Sequence, residues 1–174
     1  DYGHLLRDDP VFAQRAKRIS DYVMDINEFL AKRIDIGAPS SWSDIRVAYH
    51  APCSLHAQGI DDEPPRLLRE AGFTILDIPE GHICCGSTGT YNILQPDISD
   101  ELRSRKLANI ASVKADCVAS SNMGCMTHMT GPDAPPIVHV VELLNWAYGG
   151  ECPAELAHLS DRTRSMEDVF KEKA

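Results

Sequence analysis

Four short apolar runs, separated by loops and helical patterns, constrain this chain more than any other feature. Residues 45–49 (IRVAY), 73–78 (FTILDI), 116–120 (DCVAS) and 137–140 (IVHV) read as strands. Their shortness and their β-branched content set them apart from helical segments. Helical stretches follow the second and fourth strands and one precedes the second. Residues 64–71 open on prolines and stop at Gly72; residues 96–113 open on Pro96 and carry Ile98, Leu102, Leu107 and Ile110; residues 141–148 close at Gly149 and Gly150. Strands alternating with helices build βα units, and βα units build a mainly parallel sheet flanked by helices. The expected fold is an α/β single domain, with its sites in the crevice at the carboxyl ends of the strands.

A long helix is expected before this domain, over residues 10–34. Phe12, Ala16, Ile19, Val23, Ile26 and Leu30 recur at steps of three and four with charged residues between them. Pro10 suits its first turn, and Gly37 and Pro39 stop it. The expected divisions are 1–40 for this helix and a linker, 41–150 for the α/β domain, and 151–174 for a short polar tail helix. The chain begins at Asp1 rather than methionine, so it is expected to be a piece of a longer protein.

Six cysteines stand among the 174 residues, and four of them follow a strand. Cys53 comes after the first strand, Cys84 and Cys85 after the second, and Cys125 after the third. Three loops from one sheet edge can thus converge. Adjacent cysteines such as Cys84 and Cys85 rarely bridge each other, because disulfide geometry would distort the peptide between them. With no secretory signal in the sequence, the thiols are expected to be reduced and the protein cytoplasmic. Cys117 lies inside a strand and reads as core, and Cys152 in the tail as an incidental thiol.

The pattern is C-x30-C-C-G-x38-C. Thiolates are soft donors that select iron–sulfur clusters, zinc or Cu(I). Four cysteines suit an iron–sulfur cluster or a structural zinc ion. The adjacent pair reaches two irons of a cluster more readily than one tetrahedral ion, since successive side chains diverge. Gly86, Ser87, Thr88, Gly89 and Thr90 are small enough to let backbone N–H groups approach sulfur. Buried structural thiols are the plain alternative.

Composition narrows the remaining classes. Net charge is −9, from 17 basic and 26 acidic residues. Nucleic-acid binding draws on phosphate neutralisation by Lys and Arg, so it is not expected. No transmembrane segment is evident either. Dinucleotide, P-loop and nucleophile-elbow motifs are absent from the sequence.

The segments His50-Ala51-Pro52-Cys53, Cys84-Cys85-Gly86-Ser87-Thr88-Gly89-Thr90-Tyr91 and Asn122-Met123-Gly124-Cys125 resemble the cysteine-rich CCG domain. That domain occurs in heterodisulfide reductases, in lactate-utilization iron–sulfur proteins and in iron–sulfur subunits of glycolate oxidase (glycolate dehydrogenase). The last are the most similar, in their C-terminal CCG domain. The resemblance places Cys53, Cys84, Cys85 and Cys125 as metal ligands, with Gly86 in the cofactor-binding loop. Asn122 stands where the family's C-x-x-C has its first cysteine, so one thiolate is missing. The resemblance implies an iron–sulfur cluster, [4Fe–4S] in type, in a non-catalytic electron-transfer part of a flavin-linked glycolate (2-hydroxy acid) oxidoreductase. Its partners would be flavin-containing subunits together with upstream ferredoxin-like domains and a first CCG domain, and these partners could seat it peripherally at the inner membrane. The alternatives are a heterodisulfide reductase-like catalytic cluster domain, and a scaffold holding structural zinc or no metal.

The shortfall of one thiolate directs attention to other donors. Asn122, His56, His82 and His128 are candidates. His50 also flanks Cys53, as a ligand or a hydrogen-bonding neighbour. Arg103, Arg105 and Lys106 either compensate an anionic cluster, dock a partner or form a solvated helix face. His139 is expected to pack in its strand.

Overall fold

A computed structural model describes residues 1–32 and 35–165. Two compact units divide it, one over Asp1–Asp35 and the other from Ile36 onward.

The first unit contains α1 (Tyr2–Leu5), α2 (Ala13–Tyr22) and α3 (Ile26–Lys32). The single helix expected over 10–34 is therefore two helices, and residues 33 and 34 lie outside the described residues. Val23 is extended, at φ −72° and ψ 125°. Asp25 then turns its carboxylate onto the backbone N–H of Asn27, at 2.8 Å. A short acidic side chain that bonds the backbone locally favours a helix start over a helix interior. Asp9 does the same upstream, accepting from Val11 N and Phe12 N, so Pro10 lies in a turn and the helix starts at Ala13. The apolar series is not a buried stripe: Phe12, Ile19, Val23 and Ile26 are exposed and Ala16 is buried.

The second unit is the α/β domain. It runs β1 (Ser41–Ser43), β2 (Arg46–His50), α4 (Cys53–His56), α5 (Glu63–Glu70), β3 (Thr74–Leu76), α6 (Tyr91–Leu94), α7 (Pro96–Ser112), β4 (Cys117–Ser120), α8 (Met123–Met129), β5 (Ile137–His139) and α9 (Val140–Ala147). The tail, expected to be a short polar helix, is helical over Ala154–Arg162 as a 3₁₀ segment, but it buries Leu156 and Leu159. It leads into β6 (Thr163–Ser165), which pairs antiparallel with β1. Residues 166–174 lie outside the described residues.

β2, β3, β4 and β5 form one sheet in the order β3-β2-β4-β5, parallel at every pairing. From β2 the chain moves outward to β3, whereas from β4 it moves the opposite way to β5. The adjacent strands β2 and β4 thus mark the point where connections diverge, and a crevice opens beyond their carboxyl ends. Every residue of β4 is buried, as expected of a parallel strand covered on both faces. Side chains alternate along a strand, so His50 shares a face with Ala48, and Ser120 with Val118. That face carries the cluster of Ala48, Ile78, Cys85, Ile110, Val118, Cys125, Met126, Met129 and Ile137.

The opposite end of the sheet is held by charge. Asp116 accepts from Arg46 N at 2.7 Å and pairs with Arg162 Nη1 at 2.9 Å. Arg162 also donates to Asp44 at 2.9 Å. The 3₁₀ tail is thereby tied to the entry of β2 and β4. No helix among the described residues is long and apolar enough to cross a membrane.

Candidate metal centre

Three loops leave the carboxyl edge of the sheet around the crevice. After β2, Pro52 caps a short helix and Cys53 is its first residue. After β4, Asn122 caps α8, its Oδ1 accepting from Cys125 N at 3.1 Å. Its amide donates to Ser54 Oγ at 3.2 Å, so the cap of α8 is joined to the first turn of α4.

The loop after β3 carries Cys84, Cys85 and Gly86, and α7 clamps it. Ser99 Oγ donates to Gly86 O at 2.9 Å and meets His128 Nε2 at 3.1 Å. Arg103 donates to the carbonyls of His128, Met129 and Thr130, capping the end of α8. Lys106 donates to Glu80 O at 3.2 Å and Gly81 O at 3.1 Å. Gly86 has φ +95°, and a Cβ there would lie 2.4 Å from Ser99 O. Only glycine accommodates both the left-handed backbone and that approach. Its N–H donates to Cys84 Sγ at 3.3 Å.

This clamp changes the expectation for α7 in part. Ile98 is 49% exposed, while Ser99, Lys106 and Ile110 are buried. The buried face of α7 carries two polar residues because they satisfy carbonyls of the cysteine loop, which have no sheet partner. Lys106 is fully buried, not a solvated residue, and Arg105 pairs with Glu80.

Cys53, Cys84, Cys85 and Cys125 line one cavity of about 400 Å³, together with Ser54, Ser87, Thr88, Gly89, Asn122 and Gly124. Within it the adjacent cysteines face different partners: Cys84 interacts with Cys53, and Cys85 with Cys125. The contact with Cys125 holds the Cys85 thiol below the ordinary thiol range; burial opposes this, and the nearby His50 ring and the Ser87 N–H assist it. The same contact, with burial, pushes Cys125 up, so the pair shares one negative charge readily and two with difficulty. Burial also pushes Cys84 up. Burial lowers the Lys106 ammonium, against the pull of Cys85, Cys53 and Cys84.

His50 completes the group. It ends β2, is 2% exposed, and neither ring nitrogen makes a well-formed hydrogen bond, the ring facing the Cys85 sulfur instead. A His50 ring nitrogen and the sulfurs of Cys85 and Cys125 all lie within 4.8 Å of one another. The sequence shows only that His50 flanks Cys53; which way its ring faces depends on strand parity. Of the other candidates, His56 is exposed and pairs with Asp61 at 2.9 Å. His82 is exposed, and His128 is engaged with Ser99. Asn122 lines the cavity, with both amide atoms occupied as above. Cys117 is fully buried core, its thiol pushed up to about 12 by burial. Cys152 is half-buried beside Pro153 O. His139 caps α9, accepting from Val141 N at 3.2 Å.

Residues 47–130, which hold all three loops, match the family described as the CCG cysteine-rich domain. That segment, just under half of the chain, is the part that is similar to CCG cysteine-rich domains. It is similar to the glycolate oxidase iron–sulfur subunit of Escherichia coli, with 33% identity over 148 residues, 84% of this chain and 36% of that protein. It is also similar to lactate utilization protein A of Bacillus licheniformis, 28% identical over 152 residues, covering 83% of this chain and 64% of the relative. The corresponding protein of Oceanobacillus iheyensis is 29% identical over 153 residues, covering 83% and 62%. The chain thus spans about a third of the first relative and less than two thirds of the others.

Proposed function

We propose that this chain is an electron-transfer iron–sulfur domain of a flavin-linked 2-hydroxy acid oxidoreductase, glycolate being the substrate class of the whole complex. One observation carries the reading: four cysteines from three separate loops line a single cavity at the switch point of a parallel sheet. The donor set fits an iron–sulfur group. Four thiols and a buried imidazole with no well-formed hydrogen bond are five donors, one more than a tetrahedral zinc ion takes. They are also soft or borderline, as iron–sulfur chemistry requires. The similarity to an iron–sulfur subunit supports the same group, and we assign it as [4Fe–4S].

Cys53, Cys84, Cys85 and Cys125 would hold the cluster, which supplies one-electron storage when bound. The chain supplies the surroundings. Gly86 N–H already donates to Cys84 sulfur, and such bonds lower the charge density on a thiolate. The buried Lys106 ammonium offsets thiolate charge, and the loop clamp keeps both fixed. Flavin-containing subunits and upstream cluster domains are the proposed partners, and the cytoplasm, at or near the inner membrane, the proposed location.

A redox titration tests the role. An anaerobically prepared sample should bleach with dithionite, recover on oxidation, and show no turnover of a thiol-derived disulfide. Disulfide reduction at the cluster would instead favour the heterodisulfide reductase-like reading.

A further inference from the structure

We infer that His50 is a ligand of the metal centre and takes the place of the thiolate missing at Asn122. The inference rests on the iron–sulfur reading and deepens it. Burying an imidazole without a partner for its nitrogens costs free energy for each unsatisfied polar group. Native interiors keep few such groups. His50 is such a case: it is 2% exposed, neither ring nitrogen makes a well-formed hydrogen bond, and what its ring faces is sulfur, Cys85 and Cys125 both within 4.8 Å. A bound metal removes the penalty at one nitrogen.

The other nitrogen has an acceptor at hand. Ser120 is opposite His50 in the β2–β4 register and is fully buried, and its Oγ also lacks a partner. Strand parity places the two side chains on the same face of the sheet. Metal-ligating histidines characteristically donate the second ring N–H to an oxygen acceptor, which fixes the tautomer, and a serine hydroxyl can serve as one. Two orphaned polar groups side by side are thus explained by one arrangement: His50 donates to Ser120 Oγ and offers its remaining lone pair to iron. Of the competing donors, Asn122 is committed to the cap of α8, His128 to Ser99 and His56 to Asp61, while His82 is exposed and is not among the residues lining the cavity.

The test is pulsed EPR on protein labelled with ¹⁵N-histidine, reconstituted anaerobically with iron and sulfide and poised in its paramagnetic state. The inference expects one directly coupled histidine nitrogen in the unsubstituted chain. That coupling should vanish in His50→Gln and survive in His128→Gln and His56→Gln. Iron release from His50→Gln to a chelator should be about 10-fold faster or more, and His50→Cys should retain iron without the nitrogen coupling. A cluster with no histidine coupling would overturn the inference and leave the iron–sulfur reading intact. So would a coupling that persists in His50→Gln. Failure of the unsubstituted chain to take up iron and sulfide would overturn both.

Discussion

Lys106 Nζ stands 3.1 Å from the carbonyl oxygen of Gly81, fully buried beneath the loop that presents the adjacent cysteines. A lysine is seldom buried without cause. Here it serves two needs, satisfying backbone carbonyls of a loop outside the sheet and placing a positive charge near thiolates. Lys106→Met should lower stability in urea by about 2 kcal/mol, from the stranded carbonyls. In the cluster-loaded protein it should also move the reduction potential to more negative values, because the reduced state loses a compensating cation. A change in stability with an unmoved potential would reduce Lys106 to a structural clamp.

Gly86→Ala forces a side chain toward Ser99 O and keeps a left-handed backbone. We expect a loss of about 2–3 kcal/mol or more in chemical unfolding. Gly89→Ala is the control: it too has a positive φ, yet no atom lies within 4 Å of its added Cβ. It should cost only about 1 kcal/mol.

The parallel sheet and the convergence of four cysteines are legible in the sequence, because short apolar runs and the loop after each are local signals. The direction of α7 is not. Its buried face holds Ser99 and Lys106 beside Ile110, and Ile98 is exposed, so hydrophobic periodicity reports Ile110 and the packed Leu107 but not the buried polar pair. The demand that places them there comes from carbonyls of residues 80, 81 and 86, which are distant in sequence. His50 is hidden for a related reason, since its ring direction follows from strand parity and from which face α7 and α8 cover. The break at Val23 was available in principle, because Asp25 two residues before Asn27 is a capping signal, but six apolar residues at helical spacing outweigh it.

Asn122 accepts from Cys125 N and so acts on the shape of α8. Asn122→Ala should cost about 1 kcal/mol in unfolding, as for the loss of other N-caps, and leave iron content unchanged. Asn122→Asp should retain the cap. Iron loss in the alanine variant out of proportion to its stability would instead make Asn122 a ligand.

Acid should weaken the far end of the sheet. Burial alone would raise the Asp116 carboxyl, but Arg162 and the N–H and guanidinium of Arg46 outweigh it and hold the group at about 2. A group depressed in the folded state contributes stability above its unfolded pKa, near 3.9. That contribution disappears as pH falls from there through about 2. Asp116→Asn should therefore be less stable than the unsubstituted chain by about 1–2 kcal/mol at pH 7, with the gap closing between pH 4 and pH 2. Urea midpoints across that range measure it. A gap that does not change with pH would show that the carboxylate's charge contributes nothing.

The central claim is that Cys53, Cys84, Cys85 and Cys125 hold an iron–sulfur cluster. Iron, acid-labile sulfide and zinc should be quantified on anaerobically prepared protein, alongside its visible spectrum, for this chain and for a Cys84→Ser, Cys85→Ser variant. The account predicts about four irons and four sulfides per chain, as a [4Fe–4S] centre requires, with broad visible absorbance lost in the variant. Zinc alone, or no metal in a chain folded as the variant is, would contradict it.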